Sequence, residues 1–246
     1  MNLSLFQAAS GMNASMRWQE VTAENLAAGQ VPGYKRQDVS FAPFAAGLVP
    51  VPTTGDTRYV MPKASSQTDF SQAGLRGTQV DTDVAIDGAG FFAVQLPSGE
   101  VGYTRDGEFR RTPDGRLLTK QGFPVMGDNG PIQLDPNNAK LFISPTGEIS
   151  QGTEQRGKIR IVEFNDPSLL TPIGGGQYVS QNPGLQARDA DKPSVRQGYL
   201  ELGNANPVAE MTHLISSLRM FEMNQKVAQS QDERLGKTIT ELAGNL

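Results

Sequence analysis

The sequence predicts an α+β protein, mainly β, with an antiparallel β-hairpin middle domain. Two long terminal helices flank it and are expected to pair in a coiled-coil-like layer. Three observations predict this arrangement. Of 27 glycines only Gly11, Gly236 and Gly244 fall within residues 1–28 or 207–246, and of 16 prolines all but Pro207 lie between Pro32 and Pro193. Both residues are costly inside helices, so long helices are confined to the ends. Both ends also repeat apolar residues at alternating spacings of four and three, whereas the middle has short apolar runs broken by turn residues.

In the first segment, 1–30, the positions Leu5, Ala9, Met12, Met16, Gln19, Ala23 and Leu26 form a heptad-like stripe with one polar break. The helix is expected to stop near Gly29, a suitable residue just past a helix end, with Pro32 beyond it. Residues 31–80 read as an extended connector, because Pro43, Pro50, Pro52 and Pro62 are spread among Thr, Ser and Gly without a sustained period.

The β-rich domain is expected over 81–190. Phe91-Phe92-Ala93-Val94-Gln95-Leu96 runs into the turn residues Pro97-Ser98-Gly99, then Val101-Gly102-Tyr103-Thr104. Asp106-Gly107, Pro113-Asp114-Gly115, Gln121-Gly122 and Asp128-Asn129-Gly130 punctuate the next short runs, and further strands are expected at 140–144 and 158–164. Turn signals at this pace indicate hairpins. A loop-rich stretch over 165–205 includes Gly174-Gly175-Gly176, and 191–206 serves as the return linker.

The last segment, 207–246, opens with Asn206-Pro207, an N-cap followed by proline at the first helical position. Its stripe is Met211, Leu214, Leu218, Phe221, Gln225, Ala228, Asp232, Leu235, Ile239 and Leu242. A helix from 207 to 243 would be roughly 55 Å long, too long to lie wholly on a small core. Each buried Leu, Met or Phe contributes about 1.5–3 kcal/mol, so stripes of this length are expected to be buried by partner chains, or to stay disordered until partners arrive. The polar positions Gln225 and Asp232 are expected to fix register within that seam.

Composition narrows the function classes. A net charge of −4 gives no basic field for nucleic acid or anionic membrane. With no cysteine there are neither disulfides nor thiolate metal sites. The N-terminus lacks the Lys or Arg and the unbroken apolar run of a cleavable signal peptide, and no apolar segment approaches the roughly 18–20 residues needed to cross a bilayer.

Individual motifs also favour plain structural roles. Gly88-Ala89-Gly90-Phe91-Phe92-Ala93 fits a loose dinucleotide pattern, but the residues after the glycines read as a strand and not as the helix that chemistry requires. Asp81, Asp83 and Asp87 lack the calcium-loop spacing, with Ala85 and Ile86 where a ligand and a glycine belong. His213 is the only histidine and cannot build the usual zinc sets. Arg105, Arg110, Arg111, Arg116 and Lys120 are expected to form exposed pairs with neighbours such as Asp106, Glu108 and Asp114. No catalytic, cofactor or metal residues are assigned, and neither a small-molecule substrate nor membrane insertion is expected.

Several segments together resemble the bacterial flagellar rod and hook proteins, an axial family. They are Asn25-Leu26-Ala27 with Pro32-Gly33-Tyr34-Lys35-Arg36, then Asp83 to Gly88 through Gly90-Phe91-Phe92, and Tyr103-Thr104-Arg105-Asp106-Gly107. Gln197-Gly198-Tyr199-Leu200-Glu201, with Asn204, Asn206 and Glu210-Met211, completes the set, in family order over nearly the whole chain. Ala28 and Gly203 stand where the family commonly has asparagine and serine. Two rod subtypes compete: Gly127 to Ile132 and Asp232 to Leu235 resemble one, Phe221 to Asn224 and Tyr34 to Arg36 the other.

The resemblance implies a non-enzymatic subunit of the basal-body rod, a drive shaft that spans the periplasm and transmits torque. It also implies unfolded export through the flagellar type III apparatus without a cleavable signal peptide. The implied partners are other rod proteins and further copies of the chain. Terminal helices would pair in an inner layer, with interface residues Leu5, Ala9, Met12, Met16, Ala23, Leu26, Met211, Leu214, Leu218, Phe221, Gln225, Ala228, Asp232, Leu235, Ile239 and Leu242. The competing readings are a distal-rod or hook-type subunit of the same family, a coiled-coil adaptor that never polymerises, and a small enzyme with a β active site.

Overall fold

The N-terminal helix, α1, spans Leu3–Ala28 and ends at the turn containing Gly29. The C-terminal helix, α2, spans Pro207–Ala243. Asn206 caps it: its side-chain oxygen accepts from the amides of Val208 at 3.0 Å and Ala209 at 3.4 Å, two donors the first turn cannot satisfy itself. The computed structural model describes residues 3–45, 60–136 and 140–243. No helix among them is long and apolar enough to cross a membrane.

The chain divides into two compact units. The first contains residues 1–27, 37–68 and 206–246, hence both helices. It also holds an antiparallel pair, Gln37–Ala45 with Val60–Thr68, in continuous register from Gln37 opposite Thr68 to Ala45 opposite Val60. The segment 31–80, expected to be an extended connector, thus contains a regular strand pair. Pro43 and Pro62 face each other in that register, a position proline can hold in a pair with open edges.

The second unit comprises residues 28–36 and 69–205 and is almost entirely β. Its six-stranded antiparallel sheet runs, in spatial order, Thr171–Gly174, Gln177–Val179, Val101–Thr104, Phe91–Gln95, Ile161–Glu163 and Arg188–Asp189. The hairpin from Phe91–Gln95 to Val101–Thr104 turns through Pro97-Ser98-Gly99, as expected, with Gly99 at φ 86°. A three-stranded sheet of Leu141–Ile143, Glu148–Gln151 and Glu154–Lys158 lies in the same unit.

Successive residues of a strand point to opposite faces, and Phe91 and Phe92 use this to serve two cores. Phe92 joins Val84, Ile86, Phe109, Leu117 and Ile149 in one cluster, edge-on to Phe109 at 5.1 Å. Phe91 joins Tyr103, Val162, Phe164 and Tyr178 in the other, with Phe70 edge-on at 5.3 Å. Burial on both faces makes Phe91–Gln95 a central strand and explains its continuous apolar run.

Gly107 closes this core against its neighbour. A Cβ there would lie 1.6 Å from the carbonyl oxygen of Val84, whose amide donates to the Gly107 carbonyl at 3.1 Å. The obstacle is backbone and cannot rotate away. Gly107→Ala is expected to destabilise the β unit by about 1–3 kcal/mol, the usual cost of overpacking; an unchanged urea midpoint would contradict this packing.

Candidate functional site: helix faces and a buried ion cluster

The two helices of the first unit run antiparallel, as their contacts show. Asn25 Nδ2 donates to Glu210 Oε2 at 3.3 Å, Trp18 stands 6.2 Å from the His213 ring, and Gln19 Nε2 donates to the Ser217 carbonyl at 3.4 Å. At Gly11 an added Cβ would come within 2.8 Å of Asn224 Nδ2, so glycine permits the close approach there. The facing surfaces are built from small and polar residues. Ala8, Ser15, Thr22 and Asn25 are buried on α1, as are Glu210 and Ser217 on α2.

The predicted interface residues lie largely elsewhere. Leu5, Ala9, Met16 and Ala23 are exposed, while Met12 and Leu26 are half-buried. At 3.6 residues per turn, the stripe of Leu5, Ala9, Met12, Met16 and Ala23 sits roughly a third of a turn from the Ala8–Asn25 face. On α2, Met211, Leu218, Gln225, Asp232 and Leu235 are exposed, and Leu214, Phe221 and Ala228 are half-buried. The side chains of Ile239 and Leu242 fall outside the described residues.

Sequence reasoning missed a second apolar flank on α2. Met211, Ile215 and Leu218 are exposed on one side of the Glu210–Ser217–Asn224 face, and Met220, Met223 and Val227 on the other, with Met223 at 55 %. The signal was present, since Met220, Met223 and Val227 follow a helical spacing of three and four. The helix carries more than one such row, so a single 4-3 stripe describes only part of its apolar surface.

Within the β unit the charged residues make a buried cluster. The side chains of Lys35 and Glu201 are 0 % exposed and their Nζ and Oε1 atoms are 2.6 Å apart. Arg105 reaches the other Glu201 oxygen from Nη1 at 3.3 Å and donates from Nη2 to the Gly88 carbonyl at 2.8 Å. Its guanidinium lies 5.2 Å from the Phe91 ring centre, a cation–π distance. Lys35 Nζ also donates to the Ser71 carbonyl at 2.7 Å, and the Ala73 amide donates to Glu201 at 3.0 Å. Burial lowers the pKa of both cations from their ordinary values, with Glu201 acting against that shift.

Around the cluster the backbone is held tightly. Asn204 Oδ1 accepts from the Arg36 amide at 2.6 Å, and Asn204 Nδ2 donates to the Asp69 carbonyl at 2.8 Å. Gly33, at φ +67°, has room only for hydrogen, since a Cβ would lie 2.3 Å from the Arg105 carbonyl carbon.

Two of the basic residues expected on the surface behave as expected: Arg116 pairs with Asp114 at 3.3 Å and Lys120 with Glu108 at 3.2 Å, both exposed. Arg105 is a correction, because its partner is distant in sequence and its side chain lies in the core. After the glycines at 88 and 90 comes the strand Phe91–Gln95, with no helix to receive a pyrophosphate. Of the three aspartates considered for calcium, Asp87 pairs with Arg196 at 2.6 Å and Asp83 is buried.

Comparison with known proteins bears on both features. Residues 85–151 match the family described as "Flagellar hook protein FlgE/F/G D1 domain", and 196–241 match "Flagellar basal body rod FlgEFG protein C-terminal". The flagellar basal-body rod protein FlgF of Caulobacter vibrioides is 32% identical over 96% of this chain and 99% of its own length. The chain belongs to the flagellar basal-body rod protein family. Relatives of both subtypes support membership: FlgF of Escherichia coli is 30% identical over 96% of this chain and 97% of its own. FlgG of Buchnera aphidicola is 29% identical over 95% and 97% respectively. The chain is thus a rod protein of the FlgF/FlgG type, and the family is one of structural rod proteins.

The segments that carry the rod-protein resemblance in sequence meet in the buried cluster. Lys35 comes from the first, the Gly88 carbonyl from the second, Arg105 from the third and Glu201 from the last, with Asn204 beside it.

Proposed function

We propose that this chain is an axial subunit of the flagellar basal-body rod whose mechanism is polymerisation through its terminal helices. The observation that carries the reading is the set of exposed apolar flanks on α1 and α2, left over after the helices have used small and polar residues to meet each other. Scattered exposed apolar residues are ordinary, but rows along both helices mark a surface made for partners. In the assembled rod, Leu5, Met12, Met16, Met211, Leu214, Leu218 and Phe221 are buried against helices of neighbouring copies and neighbouring rod proteins. Coiled-coil-like packing then arises between chains, with Gln225 and Asp232 setting register. The partners are rod proteins and the export apparatus, the location is the basal body, and the role is torque transmission without catalysis.

Exposed positions allow a test that spares the fold. Met16→Glu with Met211→Glu and Leu218→Glu is expected to leave the circular dichroism spectrum and urea midpoint of the purified chain within about 0.5 kcal/mol of wild type. The same triple variant is expected to be absent from isolated basal bodies and to abolish swimming. Normal incorporation and motility would remove the terminal helices as the assembly surface. A non-polymerising adaptor would leave rods intact when the chain is deleted.

A further inference from the structure

In the β unit, the strand Gln177–Val179 sends successive side chains to opposite sides of its sheet. Tyr178 enters the core around Phe91, so Gln177 and Val179 point to the other side. A recess of about 500 Å³ opens there, a volume within the range of small-ligand pockets. Leu96, Phe123, Ile173 and Val179 give it an apolar wall. Its polar groups come from Ser98, Glu100, Gln121, Gln177 and Gln181.

Gln177 is only 4 % exposed, yet its carboxamide has no hydrogen-bond partner among the described residues. Buried amides are almost always partnered, because an unmade hydrogen bond forfeits the group's hydration. An unpartnered amide on the wall of a cavity is poised to bond whatever enters it. The wall around it is also set in advance. Gly174, Gly175 and Gly176 form the adjoining turn at φ 94°, 62° and 73°, a run that only glycine makes without strain. Gln121 Nε2 donates to the Gly175 carbonyl at 3.2 Å, and Thr104 Oγ1 donates to the Gly176 carbonyl at 2.8 Å. The turn is thereby pinned to its neighbours on two sides.

The chemistry of the walls selects the ligand class. A carboxamide both donates and accepts, as an alcohol hydroxyl does, and three carboxamides converge here with a serine hydroxyl and one carboxylate. No Lys, Arg or His lines the recess among the described residues, so an anion finds no counter-charge. Glu100 is exposed, and one solvated carboxylate holds a cation weakly. An extended peptide would add to the adjoining edge strand, Thr171–Gly174, but Pro172 offers no donor there and the register shifts beside it. A small, neutral, hydroxyl-rich ligand with one apolar side satisfies all of these conditions. We propose that the recess binds a neutral saccharide of one or two pyranose rings. Its hydroxyls bond Gln177, Gln181 and Glu100, and a C–H face of the ring lies on the apolar wall. This binding site stands apart from the assembly reading and does not depend on it.

Saturation-transfer NMR on the purified full chain tests this, with cellobiose, diacetylchitobiose and a blocked tetra-alanine peptide each at millimolar concentration. The expected result is transfer to the ring C–H protons of at least one disaccharide and none to the peptide. A preference for diacetylchitobiose assigns the site to acetamido sugars, and an equal response assigns it to pyranosides in general; either supports the site. Gln177→Leu nearly preserves volume and removes the unpartnered amide. It is expected to leave the urea midpoint at or above that of wild type, because no internal hydrogen bond is lost, and to weaken the saccharide about tenfold. Gln181→Ala, at an exposed position, is expected to weaken it about threefold with the fold untouched.

Transfer to neither disaccharide, or to the peptide alone, overturns the proposal. So does saccharide binding that both variants leave unchanged, which would place the sugar elsewhere on the chain. A urea midpoint lowered by Gln177→Leu also overturns it, since the amide would then have a partner inside the fold.

Discussion

Glu201→Gln is expected to cost the β unit about 3–5 kcal/mol, the range seen when one partner of a buried ion pair is removed. The carboxylate bridges two buried cations, Lys35 at 2.6 Å and Arg105 at 3.3 Å. Glutamine keeps the shape but removes the charge, leaving Lys35 and Arg105 facing each other without an anion between them. Burial already lowers the pKa of Lys35, so in the variant this lysine should shed its proton well below its ordinary range. Arg105 has no such escape, and its Nε already lacks a hydrogen-bond partner among the described residues. Adding Lys35→Met is expected to recover part of the loss, since a buried pair replaced by apolar groups is often near neutral. Urea unfolding of the three chains measures this. A loss under about 1 kcal/mol for Glu201→Gln would mean the cluster is more hydrated than its 0 % exposure implies.

This cluster also marks the boundary of what the sequence reveals. Both helices were legible to within a residue or two, because glycine and proline are nearly excluded from them and Asn206-Pro207 and Gly29 mark their ends. The Phe91–Thr104 hairpin was legible because its apolar runs are bounded by turn residues. Lys35 and Glu201 are 166 positions apart, and no periodicity links them. The family resemblance pointed to both segments, but it gave no reason for a lysine in one and a glutamate in the other. The structure supplies the reason as a charge pair. The pair Gln37–Ala45 with Val60–Thr68 was missed for a different cause. Its polar and proline residues lack the alternation that burial on one face imposes.

The helix faces show a third kind of gap. Sequence patterns find apolar residues, whereas the intramolecular seam uses Ala8, Ser15, Thr22 and Asn25 against Glu210, Ser217 and Asn224. Those residues look like a solvated face on a helical wheel. They serve as a seam because small side chains let the helices approach, Asn25 donates across it to Glu210, and Ser15 and Ser217 satisfy their hydroxyls on carbonyls of their own helices. The apolar residues Met16, Met211, Ile215, Leu218, Met220, Met223 and Val227 are thereby left exposed on the flanks of the helices.

Asp106→Asn is expected to stabilise the β unit at pH 8 and to make no difference near pH 3. The Asp106 carboxyl is buried; Oδ1 accepts from the Glu108 amide at 2.9 Å, and Oδ2 has no hydrogen-bond partner among the described residues. Burial raises its pKa to about 6 from 3.8, with the nearby Glu108 and Asp83 charges adding to the rise and Lys120 opposing it. The folded chain therefore holds this proton more tightly than the unfolded chain. The stability it contributes is complete below about pH 3.8 and declines as pH rises to about 6, beyond which the buried charge carries its full cost. At about 1.4 kcal/mol for each pH unit, that interval corresponds to about 3 kcal/mol. Asparagine keeps the acceptor for Glu108 and never ionises, so the variant's stability should be flatter across this window. Urea midpoints measured from pH 3 to pH 8 test the sign directly. A gap between variant and wild type that is the same at both ends, or that favours wild type at pH 8, would show that Asp106 is solvated when the β unit is folded.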